Sequence, residues 1–277
     1  MTEPRRKRPR KALGQHWLVD HRFLNRIAEA VHPAPQDTIL EIGAGTGLLT
    51  EALASRTDRL IAVEVDPDLA DRLRERFRDR PGVSVVAADV LAAPPEELLT
   101  AGRGSPPYIV VGNLPYFIGT AIIRHFLRAA VRPRRLLVTL QADVAERIAA
   151  GPGRMSYLSV ETQLFAQAQT LFSIPAQAFR PPPKVRSAVL SLSVRDGMAV
   201  DVDDPEEFLS LVRAGFAAPR KRTRNSLSTG LKSTPAQAEA VLRAAGIDPG
   251  LRPALLSLAD WARLYDAYRQ PAAAGAE

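Results

Sequence analysis

The chain has 277 residues, of which 46% are hydrophobic, so it is long enough to bury a sizeable core and to hold one large domain and one small one. It contains no cysteine, which excludes disulfides and thiolate metal sites, and its four histidines show no metal-ligand spacing, so we expect no metal. The formal net charge of +7 favours a polyanionic partner such as nucleic acid, although solvated charged surfaces would also account for it.

Hydropathy places the chain outside the membrane classes. No segment approaches the roughly 18–20 consecutive apolar residues of a membrane span. The basic N-terminus lacks the apolar core of a signal peptide. We therefore expect no membrane association, a cytoplasmic location and a monomer. The excess positive charge falls in two blocks, within residues 5–11 and 220–224.

The first part of the chain alternates between predicted strands and helices. A basic arm over residues 1–12 and an amphipathic patch over 13–18 precede a helix for which Asp20 can serve as the N-cap. Pro67 suits the first turn of a later helix, where its missing N–H would be unpaired anyway. The predicted strands are 38–42, 59–64, 83–87 and 108–111, the predicted helices are 20–31, 48–55 and 66–77, and 94–107 is a predicted loop rich in Pro and Gly.

The second part changes character after residue 197. Before it, strands are predicted at 136–140, 168–172 and 188–194, helices at 120–131, up to 147 and at 156–167, and a rigid polyproline-like loop at 179–187. After it, only helices are predicted, near 205–217, 235–245 and 257–269. The alternation predicts an α/β fold with a doubly wound, mostly parallel sheet over residues 13–197, followed by a small all-helical domain over 198–277.

A glycine-rich turn joins the strand at 38–42 to the next helix. Gly43, Gly45 and Gly47 permit positive φ and a close backbone approach to a ligand. Glu64 lies 21 residues after Gly43, at the end of the next strand, where a carboxylate accepts hydrogen bonds from the two hydroxyls of a ribose. Asp89 ends the third strand and could accept from an adenine amino group. The spacing departs from the G-x-G-x-x-G of nicotinamide dehydrogenases, so we favour S-adenosylmethionine over a nicotinamide cofactor; for the glycines alone, an ordinary tight loop remains an alternative.

The fourth strand runs directly into Asn113-Leu114-Pro115-Tyr116. At the carboxyl end of a strand, an Asn side chain, a backbone carbonyl fixed by a following proline and an aromatic ring can converge on one flat polar group. An adenine with its exocyclic amine fits this description. In isolation the motif would be a strand end, a proline turn and a packed tyrosine; the cofactor residues that precede it favour a catalytic interpretation.

Together these motifs make the chain similar to a known family. It resembles the KsgA/RsmA small-subunit (16S) rRNA adenine N6,N6-dimethyltransferases, relatives of the erythromycin-resistance methylases and of mitochondrial transcription factor B. The resemblance covers about residues 10–270 and is carried by the motifs at 13–18, 41–47, 63–66, 88–89, 112–116, 179–188 and 220–227. It implies a Rossmann-like class I methyltransferase that uses S-adenosylmethionine and no metal. The implied substrate is two adjacent adenines in the 3′-terminal hairpin of small-subunit rRNA, within an assembling 30S-type particle.

The resemblance also implies roles for individual residues. Asn113 Oδ1 and the Leu114 carbonyl would accept the two N6–H bonds of the adenine, and Tyr116 and Phe179 would stack on the flipped base. The residues implied to contact the cofactor are His16, Leu18, Gly43, Glu64, Asp89 and Asn113, to which the glycine turn adds Gly45. The residues implied to contact RNA, besides the basic arm, are Lys184, Arg186, Arg220, Lys221, Arg222 and Arg224.

The chain departs from the family pattern at four places. His16-Trp17 replaces the usual Asn-Phe, Phe117 replaces the Asn that follows Asn-Leu-Pro-Tyr, Arg186 replaces a common Asp, and Met155-Ser156 replaces Tyr-Gly. None of these changes removes a group that the proposed chemistry requires. The His16 contact with the cofactor is the assignment that they affect most.

Two alternatives share the fold. A resistance-type methylase acting on large-subunit rRNA more often has Ile at the position of Leu114 and lacks the proline run at 181–183. A non-catalytic RNA-binding assembly factor would not need Asn113, Glu64 and Asp89, all of which are intact. We therefore favour the small-subunit enzyme.

Overall fold

The structure, a computed structural model, describes residues 16–270, so the basic arm lies outside the described residues. Contacts divide the chain into two compact units. The first unit runs to Ala145 and resumes at Gln169–Val194; the second consists of Glu146–Ala168 and the chain from Arg195 onward. This division differs from the predicted domains 13–197 and 198–277, because the contacts of residues 146–168 group them with the helical unit.

The first unit contains most of the strands, and the second consists mainly of helices. The strands are β1 (Trp17–Leu18), β2 (Thr38–Ile42), β3 (Leu60–Glu64), β4 (Val83–Ala87), β5 (Tyr108–Asn113), β6 (Arg135–Gln141), β7 (Ala166–Ile174), β8 (Phe179–Arg180) and β9 (Ser187–Val194). The helices are α1 (His21–Val31), α2 (Leu48–Ala54), α3 (Pro67–Arg76), α4 (Pro95–Ala101), α5 (Gly119–Leu127), α6 (Ala142–Ile148), α7 (Tyr157–Gln163), α8 (Pro205–Gly215), α9 (Thr223–Leu231), α10 (Pro235–Ala244) and α11 (Leu258–Arg269).

Seven strands form one mostly parallel sheet in the order β4-β3-β2-β5-β6-β9-β7. The pairs β3–β4, β2–β3, β2–β5 and β5–β6 are parallel, and β9 pairs antiparallel with β6. The strand order runs outward in both directions from β2 and β5, so these two strands flank the switch point at which open α/β sheets bind ligands. The predicted Rossmann-like fold with a seven-stranded sheet is confirmed.

The central strands are apolar because the sheet is covered on both faces. Every residue of β2 and β3 is buried, as expected for parallel strands with helices packed against both sides. Two of the helices begin where the sequence predicts: Asp20 caps α1 by accepting from the Arg22 backbone N–H, and Asp66 caps α3 in the same way from Asp68. The Asp66 cap fixes where the chain leaves the carboxyl edge of the sheet after β3.

The helical unit is closely packed around small residues. Gly230 in α9 lies so close to α8 that a Cβ there would sit 2.3 Å from the Ala214 carbonyl oxygen. Gly215 likewise meets the Trp261 ring, which is fully buried. None of the helices in the described part of the chain combines the length and apolarity that crossing a bilayer needs.

Several elements differ from the prediction. The Pro- and Gly-rich segment 94–107 contains a helix, α4, whose Pro95 and acidic first turn suit a helix start. The basic segment after residue 220 begins α9, which the sequence did not predict. The segment predicted as helix 156–167 is shorter, ending at Gln163, and β7 starts at Ala166.

Candidate active site

The glycine turn lies at the carboxyl end of β2, beside the switch point. Gly43, Gly45 and Gly47 have φ of +72°, +55° and +80°, so all three require glycine conformationally. A Cβ at Gly43 would have no atom within 4 Å, which leaves open space over the turn. At Gly47 a Cβ would lie 2.7 Å from Leu73 Cδ2, so this glycine also lets α3 pack against the turn.

Glu64, at the end of β3, is held in place by two backbone donors. The Gly45 N–H donates to Oε2 at 2.8 Å and the Asp66 N–H donates to Oε1 at 2.9 Å. The residue is 3% exposed. Each carboxylate oxygen can accept a second hydrogen bond. The Glu64 carboxylate can therefore bind a pair of hydroxyls while it keeps its bonds to the Gly45 and Asp66 backbone N–H groups.

Glu41, in β2, is a second buried carboxyl group beneath the turn. Burial raises the pKa of Glu41 to about 7; the Thr50 hydroxyl opposes this rise and the charge of Glu64 adds to it. Glu41 Oε2 and Thr50 Oγ1 are both buried, and neither has a partner of ordinary hydrogen-bond geometry among the described residues. In the sequence, Glu41 is part of the glycine-turn motif, and a carboxylate within an otherwise apolar strand is the signal that marks it as a site residue.

Asp89 follows β4 and is exposed. Its Oδ1 accepts from the Leu91 backbone N–H at 2.9 Å, which leaves Oδ2 for an external donor. Val65 and Leu91, which follow the ends of β3 and β4, are 54% and 37% exposed. Because adjacent parallel strands end at the same edge, these apolar side chains lie where a flat ring bound near Glu64 and Asp89 would need contacts. Neither residue is among the predicted site residues, although each lies within two positions of a predicted site acid.

The side-chain amide of Asn113, the last residue of β5, has a fixed orientation. Its Nδ2 donates to the His16 carbonyl at 2.9 Å. A backbone carbonyl can only accept, so the amide nitrogen must face His16 and Oδ1 must face away. The side chain therefore offers an acceptor at the carboxyl edge of the sheet.

The residues around Asn113 fix the backbone of the motif. A Cβ at Gly112 would sit 2.8 Å from the Ile42 carbonyl oxygen, so glycine lets β5 approach β2 closely. The Leu114 N–H donates to the Thr139 carbonyl at 3.3 Å, and the Leu114 side chain is 2% exposed. Pro115 restricts Leu114 to an extended backbone. The direction of the Leu114 carbonyl is thus set by both neighbours.

Tyr116 is half-buried at the same edge. Its hydroxyl is 2.6 Å from Ser187 Oγ, and its ring stacks with that of His16 at a centroid distance of 5.6 Å. Burial raises the pKa of Tyr116, and the Ser187 contact opposes the rise. The phenol is therefore protonated at neutral pH and offers a ring face rather than a base. The sequence did not indicate the Ser187 contact, because the two residues lie 71 positions apart.

His16, Trp17 and Leu18 reach the site through a pairing that the sequence did not predict. β1 and β8 form an antiparallel ribbon in which Trp17 pairs with Arg180 and Leu18 with Phe179. His16 Nδ1 lies 2.8 Å from the Pro181 carbonyl oxygen. Trp17 lies against the glycine turn, since a Cβ at Gly45 would sit 3.4 Å from its Nε1. Leu18 is 4% exposed, so a cofactor contact at that position would use its backbone.

Phe179 does not occupy the position predicted for it. Its side chain has no exposed surface and packs in the main apolar core with Leu18, Leu24 and Val189 among others. The prediction that Phe179 stacks on a flipped base is contradicted by this burial, because a ring without exposed surface offers no face to a base. Its role in the structure is to anchor the β1–β8 ribbon on the core.

The predicted RNA-binding cations differ in their surroundings. Lys184 and Arg186 are exposed on the loop before β9. Arg220, Lys221 and Arg222 are exposed on the turn that leads into α9. Arg224 is instead half-buried and pairs with Glu239 at 2.7 Å, so its charge is already partly neutralised. The described residues include no cluster of three or more His, Cys, Asp or Glu side chains placed to hold a metal ion.

Comparison with known proteins identifies the relatives of this chain. The family model described as "Ribosomal RNA adenine dimethylase" matches residues 6–270. Proteins named "Ribosomal RNA small subunit methyltransferase A" are similar over nearly the whole chain. The Geobacter metallireducens protein is 42% identical over 260 residues, covering 93% of this chain and 94% of its own, and the Dehalococcoides mccartyi protein is 38% identical over 264 residues, covering 95% and 90%.

Two solved structures resemble this one along most of its length. The 23S rRNA methyltransferase ErmE is 32% identical, with a TM-score of 0.72 over 92% of this chain and 100% of its own. A dimethyladenosine transferase from Plasmodium falciparum has a TM-score of 0.74 over 90% of this chain and 96% of its own. The latter is only 21% identical and bears on the fold alone.

Proposed function

Because this chain belongs to the ribosomal RNA adenine dimethylase family, we propose that it transfers methyl groups from S-adenosylmethionine to N6 of two adjacent adenines in small-subunit rRNA. The product is N6,N6-dimethyladenosine. The target is the 3′-terminal hairpin, the substrate is an assembling small subunit, and the enzyme acts as a cytoplasmic monomer.

The observation that carries this proposal is the orientation of Asn113. The adenine N6 lone pair is delocalised into the ring, so the amine is a poor nucleophile. Asn113 Oδ1, turned away from His16 by the bond to its carbonyl, accepts one N6–H. The Leu114 carbonyl accepts the other. The two bonds draw N6 towards tetrahedral geometry and aim its lone pair.

The catalytic contribution of these residues is positioning. Holding the amine in line with the methyl group, in a site with little water, can account for most of the rate without a strong base. Tyr116 is protonated and accepts no proton; its ring supports the plane of the extruded adenine, worth about 1–3 kcal/mol. A monomethylated amine has one N–H, so the second transfer needs only one of the two acceptors.

The carboxyl edge of the sheet has groups that can bind S-adenosylmethionine. Glu64 would hold the ribose hydroxyls, Asp89 Oδ2 the adenine amino group, and Val65 and Leu91 the ring. The open space above Gly43 lets the remainder of the molecule lie close to the backbone. When bound, S-adenosylmethionine would supply an electrophilic methyl group from a sulfonium cation and leave as the neutral thioether, so no metal is needed. Each transfer would release one N6 proton, which leaves to solvent.

RNA is held by cations of both units. Lys184 and Arg186 extend from the loop that precedes Ser187, the partner of Tyr116. Arg220, Lys221 and Arg222 are exposed on the helical unit, with Arg224 contributing less because of its bond to Glu239. The positive charge of the basic arm, residues 1–12, suits a further contact with RNA.

The relatives favour small-subunit over large-subunit rRNA. Proteins named for the small subunit reach 42% identity, whereas the 23S rRNA methyltransferase ErmE is 32% identical. Leu114 and the prolines at 181–183 support the same choice. A purely non-catalytic assembly role is disfavoured by the oriented Asn113 and Glu64.

The test is mass spectrometry of rRNA digests from cells that lack the protein. We expect dimethyladenosine to disappear from small-subunit rRNA and to return when the wild-type gene is supplied. An Asn113→Ala gene should produce the protein without restoring the modification. Loss from large-subunit rRNA instead would replace the proposal with the resistance-type activity, and no loss from either would leave a non-catalytic role.

A further inference from the structure

Phe117 is the most exposed large apolar residue of the described chain, at 63%. Isolated exposed apolar side chains are common and need no explanation. Phe117 differs because of where it lies. Among the described residues of the first unit, the exposed large apolar side chains are Val65, Leu91, Phe117 and Val185, and all four lie at the carboxyl edge of the sheet.

Three of these four belong to the sites already described. Val65 and Leu91 adjoin Glu64 and Asp89, and Val185 lies between Lys184 and Arg186. Phe117 has no role in cofactor binding or in holding the amine. The other phenylalanines of the first unit include Phe126 and Phe179, both fully buried, so the unit buries phenyl rings where its packing requires them.

The backbone of Phe117 is held firmly. The Ile118 N–H donates to the Pro115 carbonyl at 3.1 Å and closes a turn around Tyr116 and Phe117. At the start of α5, a Cβ on Gly119 would sit 2.4 Å from Leu140 Cδ2, so this end of the helix is pressed onto β6. An exposed ring on a fixed backbone loses little conformational freedom when it binds a flat partner.

Phe117 lies one residue from the aromatic ring assigned to the target base. Tyr116 is turned inward, with its hydroxyl on Ser187 and its ring on His16. Phe117 is turned outward into solvent. When an adenine is extruded onto Tyr116, its neighbouring nucleotides remain outside the pocket. The exposed ring of Phe117 can contact these nucleotides.

The charge around this ring suits a nucleic acid. The Tyr116–Ser187 contact brings the Lys184-Val185-Arg186 segment beside the motif, and all three of these residues are exposed. Cations alternating with apolar groups match phosphates alternating with bases. The same surroundings are unfavourable for a purely apolar protein partner.

We propose that Phe117 stacks on the base of a nucleotide that flanks the pair of target adenines and so fixes the RNA register at the active site. The inference rests on the proposed function and adds a determinant of substrate binding to it. Stacking of this kind tolerates any base but requires that one be present. Phe117 is a positioning residue, and its loss should weaken RNA binding rather than the chemical step.

The test is a double-substitution cycle between the protein and the RNA. A hairpin carrying the two target adenines is made with all bases present, or with an abasic nucleotide on either side of the adenine pair. Binding to wild type and to Phe117→Ala is measured by fluorescence anisotropy. We expect Phe117→Ala to weaken binding of the intact hairpin about tenfold. One abasic position should weaken wild-type binding similarly, and the two changes together should cost no more than either alone.

Controls separate this role from a structural one. Phe117→Trp should restore binding, and Tyr268→Ala, which removes a 41% exposed aromatic ring from α11, should leave it within twofold. Cofactor affinity and kcat should stay within threefold of wild type in Phe117→Ala, with the loss confined to KM for RNA.

The inference and the proposed function fail separately. Additive costs at both flanking positions, or unchanged RNA binding by Phe117→Ala, would overturn the inference while the wild type still methylates small-subunit rRNA. A wild type that transfers no methyl group to small-subunit rRNA or to small-subunit particles would overturn the proposed function, and the inference with it.

Discussion

The proposed cofactor site around Glu64 (the cofactor edge) and the proposed RNA-binding residues 220–222 (the basic turn) differ in how their charged groups are held. At the cofactor edge, Glu64 is almost fully buried and is oriented by two backbone N–H groups. The basic turn has three neighbouring exposed cations. Cofactor affinity should depend on fixed geometry and should fall sharply when a single atom of Glu64 is changed. RNA affinity at the basic turn should depend on charge, so it should fall gradually as cations are removed and as salt is added.

The largest effect on binding is expected at Glu64. Glu64→Gln keeps the shape of the side chain but places an amide NH2 against the Gly45 or the Asp66 backbone N–H, and it weakens the bonds to the ribose. Hydrogen bonds to charged groups are worth about 1.5–3 kcal/mol each. We expect cofactor affinity to fall about a thousandfold in calorimetric titrations.

The matched control for this change is Glu75→Gln, an exposed carboxylate on α3 that pairs with Arg78. It should leave cofactor affinity within twofold. Equal effects of the two substitutions, or a dependence of the Glu64→Gln effect on salt, would remove the distinction between the two regions.

The buried carboxyl group of Glu41 should make the free energy of unfolding depend on pH. Its pKa is about 7 in the folded protein because of burial, above the unfolded value near 4.5. A raised carboxyl pKa means that the folded state holds the proton more tightly, so the contribution of Glu41 to stability is present in full below about pH 4.5 and is lost as pH rises through about 7. Between pH 5 and pH 8, the free energy of unfolding of the wild type should therefore fall by up to about 3 kcal/mol relative to that of Glu41→Gln.

Denaturant unfolding of both proteins across that pH range measures the effect. The exposed Glu75→Gln variant should follow the wild-type profile. Parallel profiles for wild type and Glu41→Gln would mean that Glu41 is ionised in the folded protein throughout, contrary to its surroundings.

A smaller and graded effect is expected at the basic turn. Arg220→Ala with Arg222→Ala removes two exposed cations, so the slope of log K for RNA against log salt should flatten by about 1.5. The matched control is Arg56→Ala with Arg78→Ala, which removes two exposed cations already paired with Glu29 and Glu75. The control should leave the slope unchanged, and equal slopes for both double variants would show that the basic turn is only a solvated surface.

Arg224 should give the smallest effect of the basic segment. Its guanidinium pairs with Glu239 at 2.7 Å, and this bond helps to hold the pKa of Glu239 below its usual value. Arg224→Ala should change the salt slope less than Arg220→Ala alone. A larger change would mean that RNA displaces Glu239 from Arg224.

The sequence predicts those parts of the fold that depend on local pattern. Buried runs such as Thr38–Ile42, the glycine turn and the caps at Asp20 and Asp66 all lie as predicted, because each is determined by residues within one turn or strand. The helix α4 lies where the sequence predicts a loop, because proline is common in loops, although Pro95 stands at a position that favours a helix start.

Long-range packing accounts for the remaining differences. α9 has a Ser- and Thr-rich sequence with weak helix preference, and it is held by close packing of Gly230 on α8. The β1–β8 ribbon joins residues more than 160 positions apart, and it buries Phe179 rather than exposing it. Residues close in sequence predict neither feature. They also do not predict the hydrogen bond from Asn113 to the His16 carbonyl, which orients Asn113 Oδ1 as an acceptor.

The most direct test of the account is Asn113→Ala, measured for both cofactor binding and methyl transfer. Fluorescence of Trp17, isolated by replacing Trp261 with Phe, reports cofactor binding beside the glycine turn. We expect cofactor affinity within about threefold of wild type, because Glu64, Asp89 and the glycine turn remain. Transfer to small-subunit rRNA should fall about a thousandfold, because the Leu114 carbonyl alone does not fix the direction of the N6 lone pair. Comparable losses of both, or transfer that survives the substitution, would contradict it.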